Sequence, residues 1–360
     1  MKYIFTLSVC LLACSSNSQG QLLVGNNTNL TTGNTTIATN GSVVNQGSLI
    51  FGTGATLSLS GKGMLSSGNE LVIPNLFMLG SDYVIDGTVD CLESLQLKIG
   101  TLSPEPDAQL ILAEGASIVS ENDAHINGRL YHLGSGEKFY PLGKNGNYTP
   151  VTLVGVTGDD NLLVGLEAFN QDLGITEFPA DVLGASSNWY WEISASANFS
   201  GAKIVLPVTV ADAGSIGAGG EATILQTDLN GSGVMDLGSD PGSDFLSITS
   251  ELPALGPYVL LGFESDLKPL IHNIITPKND DKNPFLIIDQ IEVIAENEVI
   301  LLDRWGNQVF REQNFTNYAR NGNGSRPYDG AFDKLPSGNY ICLLKYQGAV
   351  KKQVVTVLEE

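Results

Sequence analysis

Three groups of residues in this chain have the types and spacing to do chemistry. The run Asp228-Leu-Asn-Gly-Ser-Gly-Val-Met-Asp236 places oxygen donors at positions 1, 3, 5 and 9 of a loop, with Gly233 at position 6. That is the spacing of a calcium loop, with Asp228, Asn230, Ser232 and Asp236 as ligands. Position 12 is Ser239 rather than a bidentate Glu, so a plain Asx and Gly turn competes with the calcium reading. Trp189 and Trp191 stand two apart on an expected strand, hence on one face. Exposed, such a pair grips a sugar ring; buried, it fills a core, and burial is the commoner case. The third group is carboxylates. Residues 21–90 hold only Lys62, Glu70, Asp82, Asp86 and Asp90 for a polysaccharide-cleaving groove. Asp86 and Asp90 flank Gly87, where turn roles suit them better than convergence on a substrate.

Other catalytic signatures are missing from the sequence. The three His, at 125, 132 and 272, have no metal-ligand spacing, and His132 beside Tyr131 is expected to cap a strand end. There is neither a Gly-x-Ser-x-Gly elbow nor a Gly-rich phosphate loop. No catalytic residue is assigned, and the chain is expected not to be an enzyme. Its formal net charge is −21. Residues 268–360 hold 11 Lys+Arg and 12 Asp+Glu, so the first 267 residues carry −20. A surface of that sign repels phosphate backbones and anionic lipids, so nucleic acid is excluded as a partner.

The elements that must position these groups are strands. Charged residues are only 16% of the chain against a usual ~25%, and the 41 Gly accompany many Ser, Thr and Asn. Lys2 followed by the apolar run Tyr3–Ala13 reads as an export leader over 1–20. Leu11-Leu-Ala-Cys14 has the form of a lipobox, which would lipidate Cys14 and tie the chain to a membrane. Ser18-Gln-Gly20 offers ordinary cleavage and is slightly favoured. Cys91 and Cys342 are expected to be separate buried thiols.

From 21 to 135 short strands such as Thr56–Ser60, Leu71–Ile73 and Gln109–Leu112 alternate with Gly or Asn turns. The spacing is too short for βαβ units. It predicts a β-solenoid-like region, with a meandering sandwich as the alternative. From 136 to 264 the strands lengthen, as in Trp189–Ile193 and Tyr258–Leu261, and predict an immunoglobulin-like β-sandwich. Glu264–Pro269 reads as a joint, after which 268–360 form a third module. The fold class is all-β throughout.

Four stretches of that module carry a resemblance. They are Ile274-Ile-Thr-Pro-Lys-Asn-Asp-Asp-Lys-Asn283, Val299-Ile-Leu-Leu-Asp-Arg-Trp-Gly-Asn-Gln-Val-Phe310, Tyr328-Asp-Gly330 and Leu335-Pro-Ser-Gly-Asn-Tyr340. In order and separation they resemble the gliding-motility-associated C-terminal domain, a type B sorting signal of type IX secretion in Bacteroidetes-type bacteria. The signature residues are Thr276, Pro277, Asp280, Asp281, Asn283, Asp303, Arg304, Trp305, Gly306, Asn307, Tyr328, Asp329, Gly330, Leu335, Pro336, Gly338 and Tyr340. Lys278-Asn279 and Pro284 depart from the family's acidic-glycine loop, and Tyr328 stands where a Trp is usual. The resemblance implies a small β-sandwich that delivers its cargo through the outer membrane. Gly306 and Asn307 can supply the positive φ of a hairpin turn, and Trp305 can cover one end of the core.

The expected function is therefore a non-catalytic, adhesive or structural protein, outside the cell or on its surface. The type IX machinery is its partner, with surface polysaccharide or matrix as a further candidate. A carbohydrate-binding module on Trp189 and Trp191 is the alternative, and a glycan-cleaving solenoid stands behind it.

Overall fold

The computed structural model of the chain describes residues 20–358 other than 69, 159–160, 180–181, 197–198, 209–219, 229–230, 242–245, 266–268, 278–282, 284, 295, 318–330 and 347–348. The leader with Cys14 lies outside the described residues, as do Asn230, Asp280, Asp281, Tyr328, Asp329 and Gly330. Strands dominate, and the only helical pieces among the described residues are the 3-10 turns Ile291–Val293 and Phe332–Lys334. No helix among them is long and apolar enough to cross a membrane.

The N-terminal strands wind into a three-sided solenoid of six coils. One side is a parallel sheet of Leu22–Val24, Val43–Asn45, Gly63–Ser67, Tyr83–Asp86, Thr101–Pro104 and His125–Ile126. Leu22 pairs with Val43, Val43 with Leu65 and Leu65 with Ile85, a repeat of roughly twenty residues. A second side stacks Thr36–Thr39, Thr56–Leu59, the latter halves of Leu71–Met78 and Thr88–Leu97, and Ser117–Ser120. The third runs through the first halves of those two long strands to Gln109–Leu112 and Leu130–Leu133.

Alternation sends every second side chain inward, so Leu57, Leu59, Leu65, Leu76, Ile85 and Leu97 are fully buried. On the other face of the second side runs a ladder of hydroxyls and amides, Thr36–Thr56–Asn75–Ser94–Ser117, in which Ser94 is only 8% exposed. Ser94 Oγ donates to Asn75 Oδ1 at 2.6 Å. Corners are tighter than any side chain allows. A Cβ on Gly61 would lie 1.8 Å from Asn40 O, and one on Gly80 2.0 Å from Ser60 O. The Gly turns visible in the sequence are thus where one coil's backbone touches the next.

The solenoid's sheet continues beyond its last coil. Leu130–Leu133 pairs antiparallel with Leu163–Phe169, which pairs with Tyr190–Ala195, which pairs in turn with Tyr258–Ser265. One thirteen-stranded sheet therefore passes from parallel to antiparallel pairing. A five-stranded antiparallel sheet of Gly136–Tyr140, Val151–Val156, Lys203–Pro207, Ser247–Thr249 and Asp240–Pro241 is the other layer of the sandwich. Tyr140 joins the layers. Its hydroxyl donates to Val164 O at 3.0 Å, and its ring meets His132 edge-on at 4.6 Å.

The chain divides into two compact units, Met1–Ile175 with Ser186–Ala213 and Thr223–Leu261, and Thr176–Ala185 with Gly214–Ala222 and Gly262–Glu360. The second holds a five-stranded sheet ordered Ile274–Ile275, Ala349–Val357, Gly338–Tyr346, Asn297–Leu302, Gln308–Gln313. Only Ile274–Ile275 runs parallel to its neighbour. One face of this sheet packs Val299, Leu301, Cys342 and Val355 against Ile271, Leu286, Ile288, Ile294, Phe315 and Phe332. Two layers are kept, as the sequence predicts. The second layer is built of loops, the two 3-10 turns and the single bridge Ile271–Ile288. Cys91 and Cys342 are both free and buried. Burial pushes each thiol up to about 12.

Candidate functional site

The richest signature stretch forms a hairpin in the tail. Asn297–Leu302 leads into the turn and Gln308–Gln313 returns from it. Asp303 shapes this turn. Its Oδ1 accepts the backbone N–H groups of Trp305 and Asn307 at 2.8 Å each, and its Oδ2 accepts Asn307 Nδ2 at 2.9 Å. The Asn307 amide, with these N–H groups behind it, holds the Asp303 carboxyl below the usual aspartate range. Gly306 sits at φ +83°, the left-handed region the sequence requires there.

Trp305 departs from expectation. Its side chain does not cover the core but is 79% exposed, with the Arg304 guanidinium 5.5 Å from its ring centroid. The apolar interior is filled instead by Phe310, whose ring centroid lies 5.0 Å from Phe332 and 6.3 Å from Phe315.

The remaining described signature residues hold the domain together. Thr276 N–H donates to Asn283 O at 2.7 Å and closes the first loop, with Pro277 buried beneath it. Leu335 is buried and its N–H reaches Phe332 O at 3.1 Å. Tyr340 Oη donates to Pro336 O at 2.8 Å, pinning the turn that passes through Gly338. A polar hub was not singled out from the sequence: Asn297. Its Nδ2 donates to Ile294 O and Phe315 O at 3.1 Å each, and its Oδ1 accepts Phe315 N–H at 2.7 Å. A lone Asn opening an apolar run was the available signal.

In the cargo, the sites read from sequence fare differently. Trp191 is fully buried and Trp189 is 5% exposed, so neither indole offers a face to a sugar. The reason is position: Trp191 pairs with Ala168 and Val259 inside the large sheet. In the acidic loop the described donors bond to neighbouring groups. Asp228 accepts Ser232 N–H at 3.0 Å and Ser232 Oγ at 2.9 Å, while Asp236 accepts Thr223 Oγ1 at 2.6 Å and Gly238 N–H at 2.9 Å. These are turn bonds. Among the described residues no group of three or more His, Cys, Asp or Glu is placed to hold a metal ion. Asn230, the second expected ligand, lies outside the described residues.

Two clusters escaped the sequence reading because their members lie far apart along the chain. Arg129 sits between Glu192 at 2.9 Å and Glu167 at 3.6 Å, and Lys144 reaches Glu167 at 3.2 Å. Glu167 and Glu192 face each other across neighbouring strands, so Arg129 neutralises a like-charge pair. Lys144 also lies 5.5 Å from the Phe169 ring centroid, and Phe169 stacks on Tyr190 at 4.8 Å. Both faces of that ring are occupied. In the solenoid, burial and a hydrogen bond shared with Glu70 push Asp90 up to about 7. The histidines are used locally: His132 Nε2 bonds Phe139 O at 2.9 Å and His125 Nδ1 bonds Asp123 O at 2.8 Å.

No curated protein and no solved structure matches the chain. Residues 270–358 match the family model described as the CHU_C type IX secretion signal domain, so this segment is a sorting domain that engages the type IX machinery for export to the cell surface or beyond.

Proposed function

We propose that this chain is a non-catalytic, adhesive or structural protein of the cell surface, carried outward by the sorting domain at 270–358. The observation that carries this reading is the continuous sheet from the first coil to the sandwich. It supports a stiff body whose outer side mixes Thr, Ser and Asn with exposed Leu23, Ile50, Leu92 and Ile99, suited to many weak contacts with a matrix. The polysaccharide-cleaving alternative has less support. Glycosidic carboxyls stand ~5 Å or more apart, whereas Asp90 and Glu70 share a hydrogen bond.

The test is fractionation of cells making the full chain or one lacking 268–360. Loss of the truncated chain from the surface and medium is expected; an unchanged location overturns the reading. Cells displaying the full chain should also hold to matrix-coated surfaces better than cells displaying one without 21–135. Turnover of a glycan by the purified chain, abolished by Asp90→Asn, would refute the non-catalytic part. Processing sensitive to globomycin selects lipidation of Cys14 over ordinary cleavage.

A further inference from the structure

The sorting sheet has a second face, opposite its packed core. Across it, Leu302 pairs with Ile341 and Ile341 with Val354. In the next row Arg311 pairs with Ile300, Ile300 with Leu343, and Leu343 with Lys352. Their sequence neighbours Val299, Leu301, Cys342 and Val355 are fully buried, so strict alternation puts both rows on the outer side. Exposure varies along them: Val354 is 50% exposed and Val309, on the same side of the edge strand, 40%, while Ile300 between Arg311 and Leu343 is 8% exposed. Trp305 stands on the turn where the first row meets the hairpin tip.

This face is apolar with a cationic rim. Arg304, Arg311, Lys345 and Lys352 surround the rows. The only acid among its described strand residues is Glu298, already bonded by Arg311 Nε at 2.6 Å and Lys345 Nζ at 3.1 Å. An apolar row with an exposed Trp on the adjoining turn is a patch of the kind that marks contact surfaces.

We propose that this face, with Trp305 at its rim, is where the type IX machinery holds the protein, through an apolar protein surface edged with acids. The inference rests on the function proposed above. A signal domain has to be read by its machinery, and the cationic rim fits an acidic edge. A second copy would bring the same cations against each other, which is unfavourable.

The test uses the full chain in a bacterium that runs type IX secretion. Trp305→Ala combined with Val354→Asp should lower the exported fraction about tenfold, equivalent to ~1.4 kcal/mol. Val293→Asp, an equally exposed apolar site off this face, should export normally. Both purified variants should keep the parent's thermal transition. A photo-crosslinking residue at position 354 should join the chain to an outer-membrane component of the machinery. Crosslinks to a second copy, to residues 20–265 or to lipid overturn the proposal. So does normal export of the folded double variant while loss of 268–360 still blocks export. If the truncated chain too is exported, the sorting reading itself fails. If the double variant does not fold, the crosslink decides.

Discussion

The cargo and the tail both alternate their side chains, yet they close their sheets in opposite ways. In the solenoid, order comes from stacking: each coil's backbone rests on the one before, and corners such as Gly61 and Gly80 leave no space for a Cβ. In the tail, order comes from turn chemistry: antiparallel strands are joined by hairpins, and Asp303 fixes one of them through three hydrogen bonds. Their outer faces differ as well. One solenoid ladder carries Thr56, Asn75 and Ser94 where a tail row carries Leu302, Ile341 and Val354, although elsewhere the solenoid exposes Leu23, Ile50, Leu92 and Ile99. Neither pattern is dictated by strand geometry, which asks only that alternate residues differ in environment.

Glycine substitution separates the two modes most strongly. Gly80→Ala forces a methyl into the Ser60 carbonyl, and no flexible side chain can yield there. The expected loss is on the order of 4 kcal/mol, seen as lost hydrogen-exchange protection across 56–97. Gly306→Ala meets no atom within 4 Å and carries only the strain of φ +83°, roughly 1–2 kcal/mol. Equal losses at the two sites would show that contact between coils is not what holds the solenoid.

These contrasts bear on what the sequence alone could tell. The solenoid was legible because short strands and Gly turns recur at near-constant spacing, and that recurrence is its fold. The tail was legible because four stretches carry a family resemblance and Gly306 has a local job, the positive φ of the turn. What stayed hidden was long-range. Nothing in Leu130–Leu133 announces that it pairs with Leu163–Phe169 and carries the sheet into the sandwich. Arg129, Glu167 and Glu192 meet only through that register. Trp189 and Trp191 have the same spacing whether buried or exposed, so composition could not separate the two. The outer face of the tail did leave a signal. Val299-Ile-Leu-Leu302 and Ile341-Cys-Leu-Leu344 are unbroken apolar runs, which means apolar residues on both sides of the sheet.

Charge networks are the next contrast. Removing Arg129 leaves Glu167 and Glu192 opposed across two strands in the middle of the large sheet, with only Lys144 nearby. Arg129→Met should cost about 3 kcal/mol in thermal unfolding at neutral pH. Adding Glu167→Gln and Glu192→Gln should restore most of that loss, since the penalty belongs to uncompensated charge. Losing the Glu298 charge in the tail leaves Arg311 and Lys345, whose side chains are 50% and 46% exposed and can turn to water, so Glu298→Gln should change stability much less. A larger effect at Glu298 than at Arg129 would reverse the comparison.

Two aspartates give the finest test, because their surroundings push them in opposite directions. Asp90 is raised from 3.8 to about 7 by burial and by Glu70. The folded state therefore favours its protonated form. The stability it confers is complete below pH 3.8 and is lost as pH rises toward 7. Asp90→Asn keeps a neutral group there at every pH. It should raise the transition temperature at pH 8 by a few degrees and leave it nearly unchanged at pH 4. Asp303 is held low by the Asn307 amide and the turn N–H groups, so its stabilising effect is present above the ordinary aspartate range and fades as the turn carboxylate is protonated. Asp303→Asn should lower the transition slightly at pH 7 and less at pH 3. Opposite signs at neutral pH are the expected result, read by calorimetry on the full chain. If Asp90→Asn instead destabilises at pH 8, Asp90 is a charged partner in the solenoid wall rather than a carboxyl kept protonated by its neighbours.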